Sequence, residues 1–270
     1  MESKEFPPLP ELEDRKSTEI RRDELTQMLK SVSFAQSVNE ERYMLKGVFF
    51  QFEQEMMSLV ATDGRRLAVA NKPMKTDENA QGEFILPSLT VNELEKLPKT
   101  GENLSISFTD RQVAIELKVS NSEEEGQGFR GSVYLVSKVV EGKYPNYKQV
   151  IPKDDFKSAV IERELMQECV NRAALVSDER VTLKLKEKEL EISGQSILGD
   201  ACESMPIVYE GEESTVSFNP KFLLDPLRAI QKDQINLEFR DDMSPGVFKI
   251  VPEEKDQPSI LCVVMPIRTD

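Results

Sequence analysis

The sequence predicts an α+β protein built from two copies of one domain, each with two helices and antiparallel sheets. Many short segments alternate apolar and polar residues, which is typical of antiparallel strands with one buried face. Two segments in each half instead repeat apolar residues every three or four positions, as helices do. The order helix, strands, helix, strands occurs twice, over about 130 residues each time, which indicates an internal duplication.

The first half begins with residues 1–16, a polar, proline-containing segment that we expect to form an arm or linker. Leu25, Met28, Leu29 and Val32 have the spacing of one helix face. Strands are then predicted at residues 47–50, 58–61, 67–70, 83–86, 104–108, 113–117 and 131–137.

Turn and cap residues separate these strands. Asp63 and Gly64 predict a tight turn. Pro87 is expected to open a second helix, with Val91 on its buried face together with Leu94. The acidic, glycine-containing residues 121–128 predict a solvated loop.

The same order recurs after a proline- and asparagine-containing break, so we place the two domains at residues 17–146 and 147–270. Leu165, Cys169 and Ala173 predict the first helix of the second domain. Strands are predicted at residues 181–185, 190–192, 235–239, 247–251 and 260–265.

The second helix of this domain has a clear start signal. Asn219 is a favourable N-cap and Pro220 suits the first helical position. Leu224, Leu227 and Ile230 continue the apolar face. Pro226 falls inside this helix, where it removes a hydrogen bond and is expected to kink or shorten it.

The composition excludes many enzyme classes. The chain has no histidine, which excludes histidine-dependent nucleophiles and HExxH zinc sites. Cys169, Cys202 and Cys262 form no CxxC pair and suit thiols that fill the core in a reducing compartment. No glycine-rich phosphate-binding motif occurs. We therefore expect no metal and no cofactor.

Charge and hydropathy bear on partners and location. The net charge is −14, and a DNA-binding protein usually presents a basic surface. Such a total is compatible with DNA binding where basic residues line one face and acidic residues another. No run of about 18 apolar residues occurs, and the N-terminus does not resemble a signal peptide. We expect a cytoplasmic protein.

Four segments resemble the bacterial sliding clamp, the DNA polymerase III β subunit. They are ATDGRRLA at residues 61–68, EGKYPNY with VIP at 141–147 and 150–152, FNPKFLLD at 218–225, and VVMPIR at 263–268. The first is similar to the family's ATDGHRLA segment, with Arg65 in place of its histidine. Four such motifs in the family's order are together very specific, and they match its second and third domains, with the first domain absent.

The resemblance implies two copies of the clamp domain, with helices on the inner face of a ring and sheets on the outer face. It implies a processivity factor with no catalysis of its own, which encircles duplex DNA in the bacterial nucleoid. It also implies that DNA polymerase III, the clamp loader and other partners bind one peptide pocket. By position, that pocket maps to Arg42, Leu45, Thr62, Gly64, Arg66, Leu67, Pro145, Val150, Phe222, Val263, Val264, Met265, Pro266 and Ile267.

The resemblance further implies DNA contacts along the helices and on the loop before Arg42. The residues that match are Arg21, Arg22, Lys30, Asn39, Tyr43, Lys96, Lys99, Arg172, Lys221, Arg228 and Lys232. Exchangeable contacts of this kind suit sliding, because phosphate contacts carry no sequence information. The ending Thr269-Asp270 stands where the family has a single leucine, and we expect its carboxylate to weaken peptide binding.

Ring closure is the open question. In the family two subunits meet head to tail, and Leu175 and Val176 match the third-domain side of that contact. Three two-domain chains would restore six domains. Alternatively, a truncated clamp would bind partner peptides without closing on DNA. A remote alternative is an enzyme using the carboxylates of Asp63 or of Asp241 and Asp242.

Overall fold

The computed structural model describes residues 12–97, 103–119, 131–152, 157–177, 179–197, 199–250 and 257–268. The loop at 121–128, most of the arm at 1–16, Lys99 and the ending Thr269-Asp270 lie outside these residues. No helix among the described residues is long and apolar enough to cross a membrane.

The described residues of the first half form ten α-helices and β-strands. They are β1 (Lys16–Arg21), α1 (Arg22–Val32), β2 (Gly47–Glu53), β3 (Met56–Thr62), β4 (Arg66–Pro73), β5 (Gly82–Pro87), α2 (Ser88–Glu95), β6 (Asn103–Phe108), β7 (Gln112–Val119) and β8 (Gly131–Lys138).

The second half repeats the same order. Its elements are β9 (Lys157–Glu162), α3 (Arg163–Ala174), β10 (Val181–Lys186), β11 (Glu189–Ser196), β12 (Gly199–Pro206), β13 (Ser214–Phe218), α4 (Pro220–Ala229), β14 (Gln234–Phe239), β15 (Gly246–Ile250) and β16 (Ser259–Val264). The predicted α+β fold with two copies of one domain is confirmed.

The strands form three antiparallel sheets with matching topology. Two four-stranded sheets have the orders β1-β6-β7-β8 and β12-β11-β10-β13. The third has eight strands in the order β5-β2-β3-β4-β16-β15-β14-β9. The first four of these belong to the first half and the last four to the second, so one continuous sheet joins the halves.

The helices pack on one face of the sheets, where they bury their apolar residues. Leu25, Met28, Leu29 and Val32 of α1 are all buried, as their spacing predicts. In α3 the buried face includes Cys169 and Ala173, whereas Leu165 is only half-buried. The main core cluster lies between helices and sheets in both halves.

Two details of the helix ends differ from the sequence predictions. Pro87 is the residue before α2, not its first residue, because it still pairs with Gly47 in the sheet. α4 continues through Pro226 and ends three residues later at Ala229, so Ile230 lies just outside it. The amide of Ile230 donates to the carbonyl of Pro226 (3.0 Å).

Candidate functional site: the junction of the two halves

The two halves meet where β4 pairs with β16. The antiparallel register runs from Ser259 opposite Asn71 to Val264 opposite Arg66. Beyond the last pair, the amide of Met265 still donates to the carbonyl of Arg65 (2.9 Å). Because side chains alternate along a strand, neighbouring residues at this junction face opposite sides of the sheet.

The side away from the helices, here called the linker face, is covered by the segment at residues 139–152. A second apolar cluster lies beneath it, formed by Leu45, Phe49, Val60, Leu67, Val69, Ile85, Tyr144, Tyr147, Val247 and Val263. The rings of Phe49 and Tyr144 stack with centroids 4.7 Å apart. Burial raises the pKa of both Tyr144 and Tyr147 above the usual tyrosine value.

Apolar side chains reach solvent around this cluster. Val150 is 49% exposed and Met265 is 41% exposed, and Pro145 of the linker segment is exposed as well. Leu67 and Val263 lie opposite each other in the sheet and are buried. This arrangement offers an apolar surface with a rigid floor, which suits an apolar peptide side chain.

Arg66 lies on the other side of the sheet and binds residues from both halves. Its Nε donates to Asp63 (3.1 Å), its Nη1 to Asp225, and its Nη2 to the carbonyl of Phe34 (2.7 Å). The guanidinium also stacks over the ring of Phe222, 4.7 Å from the centroid. Such a buried arginine, with both carboxylates in place, fixes α4 against β4.

A cleft of about 550 Å³ opens beside this arginine. It is lined by Phe34, Gln36, Ser37, Val38, Asn39, Arg42, Asp63, Arg65, Arg66, Lys221, Phe222 and Asp225. Arg42 donates from Nη1 to the carbonyl of Asp63 (3.0 Å). Gly64 has a φ of +85°, and a Cβ there would lie 2.4 Å from the same Nη1, so this turn requires glycine.

Ten of the fourteen predicted pocket residues therefore fall in two places. Leu45, Leu67 and Val263 belong to the apolar cluster of the linker face, Pro145 and Val150 lie on the linker segment, and Met265 directly follows β16. Arg42, Arg66 and Phe222 line the cleft, and Val264, opposite Arg66 in the register, is buried on the helix side.

The remaining four lie at the ends of the junction. Thr62 and Gly64 form the turn before β4, where the Thr62 hydroxyl donates to the carbonyl of Arg66 (2.6 Å). Pro266 and Ile267 follow β16, and the amide of Ile267 donates to the carbonyl of Ser217 (2.8 Å). These contacts hold the C-terminal segment against the second half.

Among the cleft residues that sequence reasoning missed are two that contact Arg66, Phe34 and Asp225. Asp225 closes the FNPKFLLD motif, so the motif itself contained the signal. Phe34 follows α1 and belongs to no motif, and only its contact with Arg66 in the fold reveals it.

The described residues that were predicted to face DNA are mostly exposed on or beside the helices, and some have acidic neighbours. Exposed are Arg21, Lys30, Asn39, Tyr43, Lys96, Arg172, Lys221 and Arg228, while Arg22 and Lys232 are half-buried. Arg21 pairs with Asp23 (2.6 Å), Lys96 with Glu93 (2.9 Å) and Arg172 with Glu203 (3.0 Å). Asn39 and Lys221 line the cleft together with Arg42.

Two of the three carboxylates in the enzyme alternative, those of Asp63 and Asp241, accept hydrogen bonds within their own turns. Asp63 accepts from the amides of Arg65 (2.8 Å) and Arg66 (3.0 Å) as well as from the Arg66 side chain. Asp241 accepts from the amide of Met243 (3.0 Å). Within the part of the chain that the structure describes, no group of three or more metal-ligating side chains occurs.

Comparisons with known proteins agree with this architecture. Residues 19–146 match the model of the DNA polymerase III beta subunit central domain, and residues 148–268 match that of its C-terminal domain. A beta sliding clamp of Bacillus subtilis is 28% identical over 277 residues, covering all of this chain and 69% of the relative. One of Caulobacter vibrioides is 30% identical, covering 91% of this chain and 64% of the relative.

The structural likeness extends over the whole chain. The crystal structure of a DNA polymerase III beta subunit from Thermotoga maritima superposes with a TM-score of 0.84 at 27% identity, and the match covers 100% of this chain and 70% of that one. The two domain models together account for residues 19–146 and 148–268. This chain belongs to the DNA polymerase III beta subunit family.

Proposed function

We propose that this chain is a sliding clamp of DNA replication, a processivity factor without catalysis of its own. It surrounds duplex DNA in the cytoplasm and tethers DNA polymerase III, the clamp loader and other partners by short apolar peptides. The observation that carries the proposal is the linker face at the β4–β16 junction. There exposed Pro145 and Val150 lie on the linker segment, whose Tyr144 and Tyr147 pack in a buried apolar cluster with Leu67 and Val263, and exposed Met265 follows Val263 by two residues.

The geometry of this face favours a peptide over a small polar ligand. Its lining is apolar and comes from both halves, a common location for binding sites. Met265 supplies a flexible side chain that adapts to different apolar partners. We place the two domains at residues 17–146 and 147–270 because the order of helices and strands repeats in these two ranges. The linker segment at residues 139–152 contains the boundary between them.

The experiment is fluorescence anisotropy with a labelled peptide of the QLxLF type. Leu67→Asp, the obvious variant, would test folding instead, because Leu67 is only 3% exposed within the apolar cluster. Val150→Asp and Met265→Asp place a carboxylate on the exposed rim and leave the floor intact. We expect each to weaken peptide binding at least about tenfold, since the charge must lose water beside an apolar ligand.

Met243→Asp is the matched control, because Met243 is 53% exposed on the β14–β15 turn. It makes the same chemical change away from the junction and should leave the affinity unchanged. Equal peptide affinity in the wild-type chain and both rim variants would remove the linker face as the binding site.

A further inference from the structure

The cleft beside Arg66 carries more positive than negative charge, although the chain as a whole has a net charge of −14. Its charged lining residues are the cations Arg42, Arg65, Arg66 and Lys221 and the carboxylates Asp63 and Asp225. Arg66 donates to both carboxylates and so compensates their charge. The other three cations are left without an acid to balance them.

These three cations are available to a ligand. Arg42, Arg65 and Lys221 are exposed, and among the residues that the structure describes none of the three has an acidic side chain within 4 Å. Arg42 donates to the carbonyl of Asp63 (3.0 Å), a bond that leaves its charge uncompensated. An anionic group is therefore the ligand that the cleft favours.

Arg65 lies where the cleft meets the end of β16. Its amide donates to the carboxylate of Asp63 (2.8 Å), and its carbonyl accepts from the amide of Met265 (2.9 Å). These bonds fix the backbone on both sides and leave the exposed guanidinium free. Arg65 and Met265 are thus bonded neighbours across two strands, one cationic and one apolar, and both are exposed.

We propose that Arg65 selects partner peptides that carry acidic residues beside their apolar motif. The apolar side chains bind the linker face, and a flanking carboxylate pairs with Arg65, where Arg42 and Lys221 add to the positive potential. The planar guanidinium suits this task, because it donates two parallel hydrogen bonds to a carboxylate. The inference rests on the proposed peptide binding and adds the charge of the partner to it.

A peptide carboxylate fits this cleft better than the phosphates of duplex DNA. A volume of about 550 Å³ is typical of sites that enclose a few chemical groups, whereas a duplex presents its phosphates over a broad surface. The lining also includes the apolar side chains of Phe34, Val38 and Phe222, which suit the methylene groups of an acidic side chain.

The net charge of the chain sharpens this preference. Most of the surface repels an acidic peptide, so attraction that is confined to the cleft guides the peptide to the junction. Each exposed ion pair is weak by itself. We expect the three cations together to favour an acidic peptide by about tenfold in affinity.

The test is fluorescence anisotropy with two labelled peptides. They share one core of the QLxLF type and differ only in the two residues on each side, which are aspartate in one peptide and asparagine in the other. We expect the wild-type chain to bind the aspartate peptide about tenfold more tightly at low salt. The ratio of the two affinities should fall toward one at about 0.5 M salt, because salt screens exposed charges.

Matched variants assign the preference to Arg65. Arg65→Gln should lower the ratio by about threefold, whereas Arg65→Lys keeps the charge and should retain most of it. Lys75→Gln is the control, because Lys75 is exposed just beyond the other end of β4 and the variant also removes one positive charge. Its ratio should equal that of wild type.

Arg65→His gives a readout that a structural change would not produce. An exposed histidine titrates near pH 6.5, whereas arginine stays charged, and the chain has no histidine of its own. The ratio for this variant should rise as the pH falls from about 8 to about 5.5. The remaining charged groups of the cleft are unchanged in the variant, so the wild-type ratio over the same range measures their contribution. They are Asp63, Asp225, Arg42, Arg66 and Lys221.

Each outcome decides the inference. Equal affinity of the wild-type chain for the two peptides would overturn it and leave the proposed peptide binding intact. Binding of neither peptide would refute both. If Arg65→Gln kept the wild-type ratio but weakened binding to a labelled DNA duplex, the cations of the cleft would serve DNA binding, and the inference would again be wrong.

Discussion

Arg66 is 8% exposed, and its guanidinium contacts two carboxylates, one carbonyl and two aromatic rings. The carboxylates of Asp63 and Asp225 are themselves mostly buried, at 19% and 18% exposure. Removing the arginine would therefore leave two negative charges close together and poorly hydrated. Removing one partner of a buried ion pair leaves the other charge buried and uncompensated, which costs more stability than replacing both partners by apolar residues.

We expect Arg66→Met to lower the free energy of unfolding by about 3 kcal/mol, since it removes the charge that compensates both carboxylates. Urea denaturation followed by circular dichroism measures this change. The neighbouring Arg65→Met alters an exposed side chain and should stay within about 0.5 kcal/mol of wild type. Equal losses for the two variants would contradict a structural role for Arg66.

The sequence identified Arg66 as important through its motif but assigned it to a peptide pocket. Its main partners come from α4 and from the residues after α1, which are distant along the chain. No local pattern encodes such contacts. The turn at Asp63 and Gly64, by contrast, was predictable because its positive φ and its hydrogen bonds are local.

At the scale of elements, the linker segment ties the halves through two buried tyrosines. Burial raises the pKa of Tyr144 and Tyr147 in the folded chain, whereas the unfolded value is about 10. Above about pH 10 the unfolded chain loses its tyrosine protons, whereas the folded chain keeps the protons of Tyr144 and Tyr147 to higher pH. The stabilising contribution is thus fully present below about pH 10 and is lost as pH rises toward the folded pKa values.

We expect the urea midpoint to fall between about pH 9 and about pH 11, and to fall less in the double variant Tyr144→Phe with Tyr147→Phe. Part of the decrease in the urea midpoint should remain in that double variant, because burial also raises the pKa of Cys262 to about 12. Tyr43→Phe, at a side chain 54% exposed, is the control and should keep the wild-type profile. A double variant with the same pH dependence as wild type would contradict the linker's contribution.

The four helices and twelve of the sixteen described strands were predicted, because alternation and helical spacing are local signals, whereas β1, β9, β12 and β13 were not predicted. The residues of α1 and the hairpin of β10 and β11 agree with their patterns. Sheet membership was not predictable in this way. Nothing in the pattern of β4 or β16 distinguishes a strand that pairs within its own domain from one that pairs across the junction.

At the scale of the whole molecule, a net charge of −14 must be compatible with the DNA binding that we propose. Several helix cations are compensated by neighbouring acids, as Arg172 is by Glu203. Among the described residues, Lys30 of α1 and Arg228 of α4 have no acidic partner within 4 Å, and Arg228 instead donates from Nη2 to the side-chain Oδ1 of Asn171 (3.2 Å). These two helices pack against each other, so their free charges belong to one surface.

We expect Lys30→Ala with Arg228→Ala to weaken binding to a labelled DNA duplex at low salt. The slope of log affinity against log salt concentration is negative, and each lost phosphate contact makes it less steep by about 0.9. The slope of the double variant should therefore be less steep than that of wild type by about 1.8. Lys148→Ala with Lys188→Ala makes the same change in net charge on the linker and on the β10–β11 turn. If both double variants changed the slope equally, net charge alone would explain DNA affinity, and the helix face would not be the DNA-binding surface.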